Sequence, residues 1–271
     1  MRMFVVDAFT DRPFTGNPAS VCLLDAPADP SWMQLVAAEM RHSETAFVRP
    51  VDEADADFEL RWFTPTVEIG LCGHATLASG HALYESGIVP AGRPIRFRTM
   101  RSGILTVRPG NGGAAGRLDM DFPACPAEPV AVPDGLAEAL GAPFAWVGRN
   151  DQPDLLVELS DEDAVRKLVP DHRALGAFGV RCVIVTAPAD PGSPYDFVSR
   201  VFGPGAGVDE DPVTGSAHCA LAPYWTGKLG RDTLTGYQAS ERGGEVGTTT
   251  RGGRVVLSGT AVTVLDGGWT A

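Results

Sequence analysis

Two short glycine-containing segments hold most of the side chains that could do chemistry in this 271-residue chain: Cys72-Gly73-His74-Ala75-Thr76 and Thr214-Gly215-Ser216-Ala217-His218. Small apolar residues follow each one and read as a helix, which puts His74 and Ser216 in a first helical turn. Backbone N–H groups there lack intrahelical acceptors, and the helix dipole adds partial positive charge, so such a turn suits a carboxylate. Plainer readings stand beside this one: His74 as a capping or core histidine, Ser216 as a simple N-cap. Glu44 lies in His42-Ser43-Glu44-Thr45-Ala46-Phe47-Val48, at the entrance to a strand. It is either a solvated turn acid or, next to Ala46 and Phe47, a partly desolvated carboxylate with its pKa raised toward the range of a general acid or base. Asp211 precedes Pro212 and is therefore held extended. It could accept a hydrogen bond from a substrate amino or hydroxyl group or from a protonated His74, or it could belong to a solvated acidic loop with Asp209 and Glu210.

Other chemistries find less support. His42, His74, His81 and His218 occur alongside many acids, but none of the spacings HxH or HxxxH is present, so no metal is expected. The glycines from Gly110 to Gly116 follow no βα unit that would open a helix, so no phosphate loop or dinucleotide fingerprint is read there. Lys+Arg 22 against Asp+Glu 34 gives a net charge of −12 without a basic cluster, which argues against nucleic acid or an anionic membrane as partner. Cys22, Cys72, Cys125, Cys182 and Cys219 are scattered among apolar neighbours without CxxC spacing, as in a reduced cytoplasmic protein. No apolar run approaches the length of a membrane span, and Met3 to Phe9 reads directly as a strand.

The elements that must hold these residues are mostly short strands. Further strands are expected at Ser20 to Leu24, Phe58 to Phe63, Ile95 to Thr99, Ile104 to Arg108, Leu118 to Phe122, Leu155 to Leu159, Cys182 to Thr186, Phe197 to Phe202 and Arg254 to Leu257. Leu118-Asp119-Met120-Asp121-Phe122 alternates apolar and polar, as does Phe58-Glu59-Leu60-Arg61-Trp62, so the sheets are antiparallel or mixed with one wet face. Surface helices are expected from Ser31 to Met40, capped by Ser31, and from Ser160 to Val169, capped by Ser160. The helices after the glycine segments, Ala75 to Tyr84 and Ala217 to Tyr224, are small and apolar almost all round, and such helices are buried. The stretch Pro109 to Gly116 could be a linker or a long hairpin loop.

The order strand, Phe-x-Pro turn, acid, glycine, helix occurs twice: Phe63-Thr64-Pro65, Glu68 and Gly73 in one half, Phe202-Gly203-Pro204, Asp211 and Gly215 in the other. His74 and Ser216 lie about half the chain apart. Duplication of one unit gives this pattern, so the expected domains are 1–115 and 116–271, with room for the last strands to return to the first. One active site between them, with a substrate carboxylate clamped by both helix starts, is the simplest expectation.

Five phrases in order carry a resemblance: Val6-Asp7-Ala8-Phe9-Thr10 with Phe14-Thr15-Gly16-Asn17-Pro18, then Ser43-Glu44-Thr45-Ala46-Phe47, then Arg61-Trp62-Phe63-Thr64-Pro65, then Leu71-Cys72-Gly73-His74-Ala75-Thr76, and last Glu210-Asp211-Pro212-Val213-Thr214-Gly215-Ser216-Ala217-His218. The chain resembles the PhzF family, the phenazine-biosynthesis isomerases and their relatives. That resemblance implies an α+β, diaminopimelate epimerase-like fold of two similar domains, each a β-barrel-like mixed sheet around a central helix, and a homodimer. It also implies a cofactor-free proton shift on a small carboxylate substrate. In PhzF itself this converts trans-2,3-dihydro-3-hydroxyanthranilate to its ketone isomer. Glu44 matches the family's acid–base glutamate, while His74, Asp211 and Ser216 match substrate-contacting residues and Gly73 and Gly215 offer backbone donors. The chain departs from the family at Tyr237-Gln238-Ala239-Ser240, where Gln-Gly is frequent.

Two rivals remain. A racemase or epimerase of the same fold uses a Cys before the Gly in each half, but Thr214 stands opposite Cys72, and a hydroxyl is far too weak an acid–base group at neutral pH where a thiol is usable. A non-catalytic scaffold that only binds a metabolite is the other.

Overall fold

A computed structural model describes residues 1–110 and 116–270. The first stretch of the chain forms β1 (Arg2–Ala8), β2 (Asn17–Leu23), α1 (Pro30–Met40), β3 (Glu44–Pro50), β4 (Phe58–Phe63), β5 (Glu68–Ile69), α2 (Gly73–Glu85), β6 (Ile95–Thr99), β7 (Ile104–Pro109) and β8 (Leu118–Pro123). The remainder forms β9 (Glu128–Pro129), α3 (Leu136–Leu140), β10 (Trp146–Arg149), β11 (Leu155–Glu158), α4 (Glu162–Lys167), α5 (His172–Gly176), β12 (Val183–Pro188), β13 (Phe197–Gly203) and β14 (Val208–Asp211). It ends with α6 (Gly215–Leu229), β15 (Thr233–Gln238), β16 (Gly244–Arg251), β17 (Arg254–Gly259) and β18 (Ala261–Gly268).

These elements divide into two compact units, Met1–Phe122 with Ser258–Ala271, and Pro123–Leu257. The first boundary falls beyond residue 115 because β8 belongs to the first sheet: β7 pairs antiparallel with β8, Val107 opposite Met120 and Pro109 opposite Leu118. Gly110 N–H donates to the Arg117 carbonyl at 2.8 Å, continuing that hairpin from Pro109. Residues 111–115 of the expected linker or loop lie outside the described residues. The chain returns to the first unit through β18, which runs antiparallel to β1 from Arg2–Gly268 to Ala8–Ala261.

Each unit repeats one wiring pattern. In the first, β2 pairs parallel with β3, β3 antiparallel with β4, β4 antiparallel with β5 and parallel with β6, and β6 antiparallel with β7. In the second, β11 pairs parallel with β12, β12 antiparallel with β13, β13 antiparallel with β14 and parallel with β15, and β15 antiparallel with β16. Helix α2 falls between β5 and β6, and α6 between β14 and β15, so the doubled motif read in the sequence is a doubled topology.

Helix α2 packs against β1, β2, β3, β7 and β18, strands drawn from most of its sheet, so the sheet wraps it. Burial on all sides requires its polar groups to be satisfied locally: Thr76 Oγ1 donates to the Cys72 carbonyl at 2.6 Å and Ser79 Oγ to the Ala75 carbonyl at 2.7 Å. At Gly80 an added Cβ would lie 2.7 Å from Val107 Cγ1, so only glycine lets helix and strand approach this closely. In the second unit, Ala217, Ala220, Leu221 and Trp225 of α6 form one core with Leu156, Ile184, Phe197, Val201 and Leu234. A second core on the other face of this sheet brings in Leu136, Leu140, Val165 and Leu175 from α3, α4 and α5.

Helix α6 runs through Pro223 instead of stopping near Tyr224. Proline has no N–H to give the carbonyl four residues back. That carbonyl, of Cys219, accepts the Cys125 N–H at 3.0 Å, so the missing bond is replaced from outside the helix. Two expected caps shift: Asp29, not Ser31, caps α1 by accepting the Ser31 N–H, and Asp161, not Ser160, caps α4 by accepting the Ala164 N–H. Helix α4 ends at Lys167, short of Val169, because Leu168 is already extended (ψ 130°) and Val169 precedes Pro170.

Candidate active site

Three chain segments meet in the first unit. The start of β2 contributes Asn17, the turn before β3 contributes His42 and Ser43 and then Glu44 as the first residue of β3, and the start of α2 contributes Cys72, Gly73 and His74. The parallel β2–β3 register, with Ala19 opposite Glu44, sets the first two side by side. Gly16 makes this arrangement reachable: its φ is +69°, and a Cβ there would sit 2.2 Å from the Ala8 carbonyl oxygen.

The hydrogen bonds fix one tautomer. Ser43 Oγ donates to Asn17 Oδ1 at 3.3 Å, which leaves Asn17 Nδ2 facing His74 Nδ1 at 3.2 Å. An amide nitrogen only donates, so Nδ1 accepts and the ring proton is on Nε2. Nε2 lies 3.3 Å from Glu44 Oε2 and 3.3 Å from Ser43 Oγ. Burial, with His42 nearby adding a like charge, pushes the His74 pKa down to about 3. His74 is therefore a neutral N–H donor to the Glu44 carboxylate, not the protonated partner of Asp211 entertained above. His42 is held in turn by Ser20, whose Oγ is 2.7 Å from its Nδ1.

Glu44 keeps 17% of its side-chain surface exposed where His74 keeps 5%. The carboxylate can thus reach a ligand while the imidazole supports it from within. Cys72 occupies the N-cap of α2 but makes no side-chain capping hydrogen bond. Its Sγ lies 3.5 Å from His74 Nδ1, so Glu44, Cys72 and His74 form one cluster.

In the second unit, Asp211 ends β14, Thr214 is the N-cap of α6, and Gly215 and Ser216 open that helix. Thr214 also makes no side-chain capping bond. Its Oγ1 donates to Asp211 Oδ2, and its N–H donates to Gln238 Oε1 at 2.9 Å. Gln238, fully buried on β15, also donates through Nε2 to the Asp211 carbonyl at 2.7 Å, pinning the turn between β14 and α6. Ser216 sits in the second helical position, not at the N-cap, and Arg181 Nη1 and Nη2 both donate to its Oγ at 3.3 Å. Arg181 is anchored by the buried Asp154. His218 donates through Nδ1 to the Thr214 carbonyl at 2.8 Å, and burial lowers its pKa to about 4.

Asn17, Ser43, Arg181 and Gln238 were not singled out as site residues from sequence. Asn17 and Ser43 lie inside matched phrases, and Gln238 lies where the chain departs from the family, so position gave a signal for three of them. Nothing in the apolar surroundings of Arg181 marks it.

The doubled topology is that of the diaminopimelate epimerase-like α+β fold, and relatives at 46 to 49% identity carry the name isomerase. The model of the phenazine biosynthesis-like protein family, PhzC-PhzF, matches residues 6–267, and the chain belongs to that family. It is 46% identical over 265 residues to an uncharacterised isomerase of Halalkalibacterium halodurans, covering 97% of this chain and 96% of that one. The crystal structure of a PhzF-family phenazine biosynthesis protein from Enterococcus faecalis is 39% identical, with a TM-score of 0.90 over 98% of this chain and 97% of that one. A hydroxyproline epimerase from Agrobacterium vitis shares the fold at 13% identity and a TM-score of 0.66, covering 98% and 91% of the two chains.

Proposed function

We propose that the protein is a cofactor-independent isomerase of the trans-2,3-dihydro-3-hydroxyanthranilate isomerase type, shifting a proton on a small carboxylate-bearing substrate. The observation that carries this reading is the Glu44 carboxylate, partly exposed, backed by the neutral His74 N–H and set beside the start of α2. Glu44 takes the proton from carbon and returns it to another position, while the N–H groups at Gly73 and His74 hold the carboxylate or the enol-like charge that develops. His74 cannot take that proton itself near neutral pH, since its pKa is pushed down to about 3. Asp211, Gly215 and Ser216 are the remaining substrate-binding residues in this proposal.

Incubation with trans-2,3-dihydro-3-hydroxyanthranilate in D₂O tests it. Deuterium should appear on carbon with the wild type and at least about 10²-fold more slowly with Glu44→Gln. Absence of turnover with every hydroxy- or amino-carboxylate tried would leave only a metabolite-binding role. The epimerase alternative draws on Cys72 in the same cluster, but Thr214, its counterpart, has its hydroxyl committed to Asp211. Cys72→Ser should therefore slow exchange far less than Glu44→Gln. The reverse order would assign the chemistry to the thiol.

The five cysteines are buried and none is in a disulfide among the described residues, which fits a cytoplasmic setting, and the family resemblance favours a homodimer. Sedimentation equilibrium checks the latter.

A further inference from the structure

We propose that the Glu44–Cys72–His74 cluster is also an inhibitory binding site for a thiophilic divalent cation, with zinc as the representative ion. The groups differ in chemistry but suit one metal: a carboxylate oxygen, a thiol sulfur and a ring nitrogen, mutually within 4.8 Å. Tetrahedral zinc with bonds of about 2.0–2.3 Å to such ligands separates them by roughly 3.5 Å, so closure needs side-chain movements of only about 1 Å. One ion binds a single ring nitrogen, and on either choice one separation is already close to this: 3.3 Å from Glu44 Oε2 if Nε2 binds, or 3.5 Å from Cys72 Sγ if Nδ1 binds. Whichever ring nitrogen binds, the other keeps an outer partner, Asn17 at Nδ1 or Ser43 at Nε2, an arrangement that orients metal-bound imidazoles. Both partners adapt: the Asn17 side chain carries a donor and an acceptor, and the Ser43 hydroxyl serves as either.

Coordination forms metal–oxygen, metal–nitrogen and metal–sulfur bonds, and the thiol proton leaves to buffer with no change in oxidation state. Three protein ligands leave a fourth position open to water or to a substrate carboxylate. The bound ion occupies Glu44, so inhibition rests on the acid–base role given to that residue above. Binding itself does not.

The test begins with EDTA-treated protein and no substrate. Zn²⁺ titrated calorimetrically should bind at one equivalent, and Cys72→Ser and Glu44→Gln should each weaken binding at least about tenfold. Co²⁺ added to the wild type should give a thiolate-to-cobalt charge-transfer band, a readout independent of whether any variant folds. His81→Asn, which alters the separate His81–Glu85 pair, should leave the titration unchanged. Binding that is absent, that survives both Cys72→Ser and Glu44→Gln, that is lost in His81→Asn, or that lacks the cobalt–sulfur band overturns the proposal. Normal zinc binding with no deuterium exchange toward substrate would instead refute the isomerase mechanism and leave the metal site standing.

Discussion

Keeping His74 neutral has a consequence in acid. Its pKa falls from 6.5 in the unfolded chain to about 3 in the fold, and that of His218 falls to about 4. Between these values the unfolded state binds more protons than the native state, so stability rises with pH. The contribution is complete above pH 6.5 and is lost as pH falls toward 3, by an amount on the order of several kcal/mol for the pair. Urea unfolding from pH 7 to pH 4 should show this acid limb, and His74→Asn with His218→Asn should flatten it. An unchanged slope in the double variant would mean that neither histidine is held neutral by the fold. Chelation is a second check at this scale: EDTA should leave turnover intact or raise it, because catalysis draws on Glu44 and the inhibitory ion competes for the same group.

Turns and helix starts set these distances, and glycine is decisive at one of them. Gly16→Ala places a methyl group against the Ala8 carbonyl in a backbone conformation that alanine resists. It should lower stability by more than about 1 kcal/mol and, by displacing Asn17, slow turnover as well, with urea unfolding and steady-state kinetics as the two readouts. Strands with strong alternation or β-branched runs, such as β1, β4, β8 and β13, were legible from the sequence because their burial pattern is encoded in residue type. Strands β15, β16 and β18 were not: Thr233–Gln238 and Gly244–Arg251 are rich in threonine and glycine, and β18 is half-exposed or exposed throughout. Strands β15 and β16 form a hairpin without alternation, and β15 and β18 are placed by the distant β13 and β1, which local periodicity does not report. The caps shifted for a related reason. Asp29 lies two residues before a competent serine and Asp161 directly after one, and only backbone geometry chooses between neighbours. Gly73 and His74 drew attention from sequence because the glycine marks a helix start, and Glu44 because of its apolar neighbours and the phrase around it. The Arg181–Ser216 contact was not readable, since it joins the connection before β12 to the start of α6 by folding alone.

The two units differ in how they are assembled from the chain. Pro123–Leu257 is continuous, whereas the first unit takes β18 from beyond it. A proline near the start of β18 removes a ladder donor and clashes with the sheet. Val262→Pro, opposite Asp7 of β1, should speed amide hydrogen exchange in β1 and β2 well before β12 and β13. Uniform loss of protection over both units would show that they unfold as one.

That pairing also dictates a sequence of events during translation. Arg2 leaves the ribosome long before its partner Gly268, with all the residues between them still to be made. At about 5–20 residues per second, β1 waits tens of seconds or less with one edge open, while the intervening unit has all of its strands at hand sooner. An exposed strand edge recruits other strands, so the interval before β18 arrives is when this protein most needs a chaperone.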